Sequence, residues 1–121
     1  MVEHVREHSL IGQPDHGRIH PLKREEIYRV LDRMTEGLPK AGRILLVPPD
    51  ITRLYSYAGV ITSYLYKKLS VDALVRILPA TGTHRPMTPG ERCRFFGRDI
   101  PDHAFLIHDW CRDTVDIGTV P

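Results

Sequence analysis

Two short runs in this chain combine residue types that could grip a small anion and move a proton. The first is Asp50-Ile51-Thr52-Arg53. Arginine presents a planar fork of donors that matches a carboxylate or phosphate with two parallel hydrogen bonds. Thr52 adds a hydroxyl that can donate to the same anion. Asp50 can hold the guanidinium in place or accept from a ligand hydroxyl. The same four residues also suit a local ion pair in a turn. The second run is Gly82-Thr83-His84-Arg85-Pro86. Gly82 permits a tight turn and a close approach of ligand to backbone. His84 is the residue type that exchanges protons readily near neutral pH, as a general base must. A lone histidine is more commonly structural, so its position in the fold has to decide.

Other candidate sites are weaker. His84, Cys93, His108 and Cys111 lack the paired spacing of a zinc site. His108-Asp109 reads more simply as a support for a pocket wall. His4 and His8 would share a helical face, but no cysteine or carboxylate cluster accompanies them. The chain has no Gly-x-Gly-x-x-Gly, no Gly-x-x-x-x-Gly-Lys-[Ser/Thr] and no Gly-x-Ser-x-Gly. A dinucleotide cradle, a P-loop and a nucleophile elbow are therefore not indicated.

The elements that must position the two runs follow from the hydrophobic pattern. Residues 1–21, with four histidines and scattered Gly and Pro, lack periodicity and read as an extended arm. From Leu22, the residues Ile27, Val30, Leu31, Met34 and Leu38 recur at helical spacing, which predicts a helix with a core-facing stripe. Gly37 and Pro39 stop it. Arg43 to Val47 reads as a strand buried on both faces, ended by Pro48 and Pro49. Tyr57 to Leu69 is helical, with Ser56 as its cap and Tyr64 and Tyr66 as packing or surface residues. Ala73 to Leu78 is a second buried strand. The result is a βαβ unit, in which both polar runs follow strand ends at one sheet edge. That edge can bring Asp50, Thr52, Arg53 and His84 together. Thr88, Pro89 and Glu91 then start a short helix that ends at Gly97. Ala104 to Ile107 is expected as a third strand. The fold class is α/β, a small parallel-sheet, Rossmann-like domain over residues 22–121.

Composition sets the outer limits. A length of 121 residues favours one domain, and 41% hydrophobic with 26% charged residues excludes wholesale disorder. The net charge of +2 is too small for a dedicated nucleic-acid or membrane surface, yet leaves a small anionic ligand open. Arg92, Arg94 and Arg98 read as a solvated face. No apolar run is long enough to cross a membrane, and none near the start has signal-peptide character. Two cysteines make a poor disulfide framework, so a reducing cytoplasm is the natural expectation.

Val47-Pro48-Pro49-Asp50-Ile51-Thr52-Arg53 resembles the Asp-x-Thr-Arg signature of the nickel-dependent lactate racemase family. Ala80-Thr81-Gly82-Thr83-His84-Arg85-Pro86-Met87-Thr88 resembles its Gly-Thr-His-Arg-Pro-Met signature. Phe96-Gly97, Ile100-Pro101 and His108-Asp109-Trp110 continue in the same order, so the resemblance covers Arg43 to about Gly118. It implies racemisation or epimerisation of 2-hydroxy acids with a nickel-pincer nucleotide cofactor that takes and returns a hydride. By the resemblance, His84 is an acid/base, and Arg53, with Arg85, grips the substrate carboxylate. Asp50, Thr52, Gly82 and Thr83 fall on the cofactor side. No metal ligand is assigned. Leu54-Tyr55-Ser56-Tyr57 stands where the family has a proline, which implies a different pocket wall.

Family members are several times longer. Their second acid–base histidine, cofactor-bearing lysine and nickel-ligating histidine lie beyond this stretch. The chain therefore reads as the N-terminal portion of such an enzyme, inactive by itself. The alternatives are a non-catalytic small-anion-binding module and a truncated interaction protein of the same fold. Three parallel strands alone would leave a sheet edge and an apolar face uncovered. Self-association or a complementing chain is expected.

Overall fold

The structure, a computed structural model, describes residues 21–40 and 42–120. The expected N-terminal arm, with His4 and His8, lies outside the described residues apart from Pro21. Two strands, β1 (Arg43–Leu46) and β2 (Leu74–Ile77), pair in parallel from Arg43↔Leu74 to Leu46↔Ile77. Three helices accompany them: α1 (Arg24–Glu36), α2 (Ala58–Leu69) and α3 (Pro89–Phe96). The β1–α2–β2 order is the expected βαβ unit, so the domain is α/β.

Pairing continues past both strands. The Leu78 N–H donates to Leu46 O at 2.9 Å, the Ala80 N–H donates to Pro48 O at 2.8 Å, and Pro49 bridges Ala80. The prolines therefore do not end the pairing as expected. What the neighbouring strand uses here is the Pro48 carbonyl, so the missing proline N–H costs nothing. The register of the strands thus reaches the first residues of both polar loops.

Ile44 and Leu46 on β1 and Val75 and Ile77 on β2 face the covered side of the sheet. Ile77 is fully buried with Met87, Phe95, Phe96, Ile100 and Ala104, and Leu46, Ala58 and Tyr66 pack against this cluster. Phe95 and Phe96 meet edge to face with centroids 4.7 Å apart, a favoured aromatic geometry. The other face, with Arg43, Leu45, Val47 and Leu74, is exposed. The apolar runs predict burial on both faces; among the described residues, helices cover one face only.

Two further expectations change. The third strand over Ala104 to Ile107 is reduced to one parallel bridge, Ile77↔Phe105, with the Leu106 N–H donating to Ile77 O at 2.7 Å. A 3-10 turn over Asp102–Ala104 takes up the chain that would have extended it. The apolar stripe of α1 is also largely uncovered: Leu31 is buried, but Val30, Met34 and Leu38 are about half exposed. α1 is held to α2 by another face. Tyr28 stacks on Tyr64 with centroids 4.0 Å apart, and Asp32 accepts from Tyr64 Oη at 2.7 Å and Lys68 Nζ at 2.5 Å.

The expected start of α3 is present. Thr88 Oγ1 accepts from the Glu91 N–H, the Glu91 carboxylate accepts from the Thr88 N–H, and Pro89 opens the helix. Gly97 ends it at φ 85°, ψ −174°, a conformation that is nearly glycine-only. Ser56 is not the cap residue of α2. That position belongs to Tyr57, held in a left-handed conformation at φ 64°, while Ser56 Oγ accepts from the Ala58 N–H at 3.4 Å. Arg92 leaves the solvated face expected for it. Its side chain turns inward, to Asp102 and over the Phe105 ring.

Candidate active site at the strand-end loops

The loop after β1 is a 3-10 turn over Ile51–Arg53, started by Asp50. The Asp50 carboxylate accepts from the Thr52 N–H at 3.0 Å and from Thr52 Oγ1 at 2.5 Å. Such local bonding is why Asp favours the start of a helical turn. It leaves Oδ2 free to reach across to the other loop.

The loop after β2 begins beside it. Because Pro49 pairs with Ala80, Asp50 and Thr81 leave the sheet side by side. The Thr81 carbonyl accepts the His84 N–H at 2.9 Å, closing a tight turn. Gly82 takes φ +57° inside that turn, which a side chain would strain. The turn swings His84 back over the first loop. There His84 Nδ1 lies 2.8 Å from Asp50 Oδ2.

The two partners have opposite surroundings. Asp50 is 4% exposed, whereas the His84 side chain is 58% exposed. Burial pushes the Asp50 carboxyl up. The hydrogen bonds from Thr52 and His84 outweigh burial and hold it below the usual carboxylate range. An ionised carboxylate only accepts, so Nδ1–H donates to it, and in the neutral ring that leaves Nε2 as the acceptor. This arrangement suits proton abstraction from a ligand hydroxyl.

The structure therefore joins Asp50, Thr52 and His84. It does not use Asp50 to hold the Arg53 guanidinium, one of the two roles open to it. Arg53 ends the 3-10 turn and is exposed, with no side-chain bond or ion pair among the described residues. Arg85, the other expected carboxylate ligand, turns away to Glu91. Its Nη1 and Nη2 donate to the two Glu91 carboxylate oxygens at 2.9 and 2.7 Å. Thr83 is exposed, and nothing lies within 4 Å of where a Gly82 side chain would start. His108 is half-buried in a small cleft with Phe105 and Thr81.

Sequence reasoning missed Thr81 and Arg92. Thr81 is buried and forms the His84 turn, and Arg92 lies beneath the same loop with its Nη1 on the Met87 carbonyl at 3.3 Å. The signal was there for Thr81, which sits at the strand end inside the motif. For Arg92 the neighbouring Arg94 and Arg98 masked it.

The larger hollows among the described residues lie elsewhere, beside α1, α2 and α3. Asp50 and His84 stand on an open edge of the sheet. No described helix is long and apolar enough to cross a membrane.

The family model for the lactate racemase N-terminal domain matches residues 6–121. The chain is 32% identical over 96 residues to lactate racemase of Lactiplantibacillus plantarum, covering 74% of this chain and 22% of that protein. It thus spans about a fifth of the length of that curated relative. No solved structure matches.

Proposed function

Because this chain belongs to the lactate racemase N-terminal domain family, we propose that it supplies half of a 2-hydroxy acid racemase or epimerase site. The observation that carries this reading is the 2.8 Å contact between buried Asp50 and exposed His84 at the strand-end edge. In the proposed reaction, His84 Nε2 takes the proton from the substrate hydroxyl while Asp50 holds the ring through Nδ1 and stabilises its positive charge. Arg53 grips the substrate carboxylate with a fork that has no partner among the described residues. Arg85 joins it only by giving up Glu91.

The reaction also needs a hydride acceptor, which no side chain provides. The family's nickel-pincer nucleotide would supply it. The residues here fit the nucleotide side of such a group: Thr52 and Thr83 are exposed residues of the two loops, and the backbone at Gly82 is open to close approach. Asp50, also expected there, contributes through His84. The open edge leaves room for the remaining groups to come from further polypeptide.

We further propose that the uncovered face of the sheet and the exposed stripe of α1 pack against another chain segment or another copy. The free thiols of Cys93 and Cys111 suit a reducing compartment such as the cytoplasm.

The test is interconversion of D- and L-2-hydroxy acids by the complete nickel-loaded protein, followed by chiral chromatography. His84→Ala is expected to abolish turnover while hydroxy acid still binds. Unchanged turnover in that variant would overturn the role given to His84. The exposed Arg53 fork also favours a second reading, a hydroxy-acid-binding module without chemistry. That reading expects binding by the chain alone, lost in Arg53→Ala, and no interconversion by the complete protein.

A further inference from the structure

Two buried polar atoms outside the Asp50–His84 pair have no partner among the described residues: Thr81 Oγ1 and Arg92 Nε. Thr81 is 5% exposed and the Arg92 side chain 16% exposed. Buried donors and acceptors are rarely left unpaired, because desolvating them without a new bond is costly.

Both residues line the same small cleft, together with Pro79, Met87, Phe105 and His108. Its free space is about 10 Å³. That is room for about one water, and the two orphaned groups make it polar enough to hold one. The donor and acceptor types match. Arg92 Nε–H can only donate, the Thr81 hydroxyl can do either, and a water can accept from the first while bonding the second.

The surroundings make such a molecule a link between elements. The other arms of Arg92 are already fixed: Nη1 donates to Met87 O at 3.3 Å, and Nη2 to Asp102 Oδ1 at 3.1 Å. The guanidinium lies 5.2 Å from the centre of the Phe105 ring. On the other side, the Thr81 carbonyl holds the His84 N–H at 2.9 Å.

We propose that one ordered water bridges Thr81 Oγ1 and Arg92 Nε, and that Arg92 acts through it as a positioning residue for His84. The bridge ties the His84 turn to α3 and to the Phe105 bridge, which steadies the imidazole against Asp50. This inference rests on the orphaned atoms and the cleft, and holds whether or not the chain takes part in racemisation.

The test begins with a high-resolution crystal structure of the protein. A water within hydrogen-bond distance of both atoms is the expected result, and a clear map without one overturns the proposal. Thr81→Val keeps the shape and removes the hydroxyl, whereas Thr81→Ser keeps the hydroxyl. The NMR signal of the His84 Nδ1 proton is expected to be lost to solvent exchange in Thr81→Val and retained in Thr81→Ser. A folded Thr81→Val with the wild-type signal overturns the positioning role. So does a Thr81→Ser that loses the signal. If Thr81→Val does not fold, the wild-type map and the serine variant still decide.

Discussion

Asp50 Oδ2 stands 2.8 Å from His84 Nδ1, although the two residues leave the sheet from different strands. Register carries Asp50 to Thr81, and one turn around Gly82 brings His84 back. The buried carboxylate then decides which ring nitrogen holds the proton. In Asp50→Asn an amide N–H can face Nδ1 and place the proton on Nε2, which removes the base. We expect turnover of a 2-hydroxy acid by the complete protein to fall about 10²–10⁴-fold, with substrate binding near wild type. Steady-state kinetics and a binding titration check this. A fall of only a few-fold would show that Asp50 does not orient the base.

Arg53 carries the next expectation. A charge-assisted bond to a carboxylate contributes about 1.5–3 kcal/mol, so Arg53→Ala should weaken hydroxy-acid binding roughly 10- to 100-fold. Arg53→Lys should recover only part of this, since an ammonium cannot present the planar fork. Calorimetric titration with lactate and with larger 2-hydroxy acids makes the comparison. Equal affinity in Arg53→Ala and wild type would move the grip elsewhere, with Arg85 next in line.

Much of this site is legible in the amino-acid sequence. Short apolar runs followed by polar loops place both motifs at strand ends, and the βαβ order puts those ends on one edge. The start of α3 is legible too, because Thr88, Pro89 and Glu91 each have a local reason for their place. What stays hidden depends on tertiary contact. The stripe on α1 identifies an apolar face but not what covers it, and Val30 and Met34 are half exposed. Arg92 has the same charge as Arg94, yet only Arg92 turns inward to Asp102 and Phe105. Asp50 has an arginine three residues away but bonds a histidine from the other loop, a choice that register makes.

Gly59 is another position that periodicity cannot reveal. A Cβ there would come within 1.8 Å of the Phe95 carbonyl oxygen, so α2 and α3 would have to separate. Gly59→Ala should cost about 1–3 kcal/mol or more, as overpacking of a tight contact does. Gly90, in α3, has nothing within 4 Å of its Cβ position. Gly90→Ala should stabilise the fold by about 0.4–1 kcal/mol by restricting the unfolded chain. Urea unfolding of both variants gives the comparison. Shifts in the same direction would contradict the contact between α2 and Phe95.

Acid should unfold the domain partly through Glu91. The Arg85 fork first, and then the Thr88 N–H, hold its carboxyl down to about 2. Its ordinary value is 4.5, so between these limits the unfolded chain binds more protons. The stability Glu91 contributes is fully present above the unfolded value and is lost as pH falls toward 2. Asp50, also held below its ordinary value, adds a loss of the same sign. The urea midpoint should therefore drop as pH is lowered through this window, and less steeply in Glu91→Gln. Identical pH profiles for wild type and Glu91→Gln would remove Glu91 from the account.

The exposed stripe on α1 leads to the last expectation. Val30 and Met34 are 48% and 53% exposed, and they line an apolar groove of about 710 Å³ with Leu22, Ile27, Tyr57 and Ile61. Apolar patches of this kind, next to polar surface, commonly mark a contact with another chain or segment. Val30→Lys with Met34→Lys should lower self-association and the binding of apolar dyes. The fold should change little in stability, by about 0.5 kcal/mol per site, because α1 is held through Tyr28 and Asp32 on its other face. Sedimentation velocity over a concentration series reads the association, and urea unfolding reads the stability. If both proteins sediment as monomers, the α1 groove is not a contact between copies; if both associate equally, the uncovered sheet face around Leu45 and Val47 is the next candidate. Leu45→Lys then becomes the deciding variant, since its side chain is also about half exposed and can be changed without opening the Ile77 core.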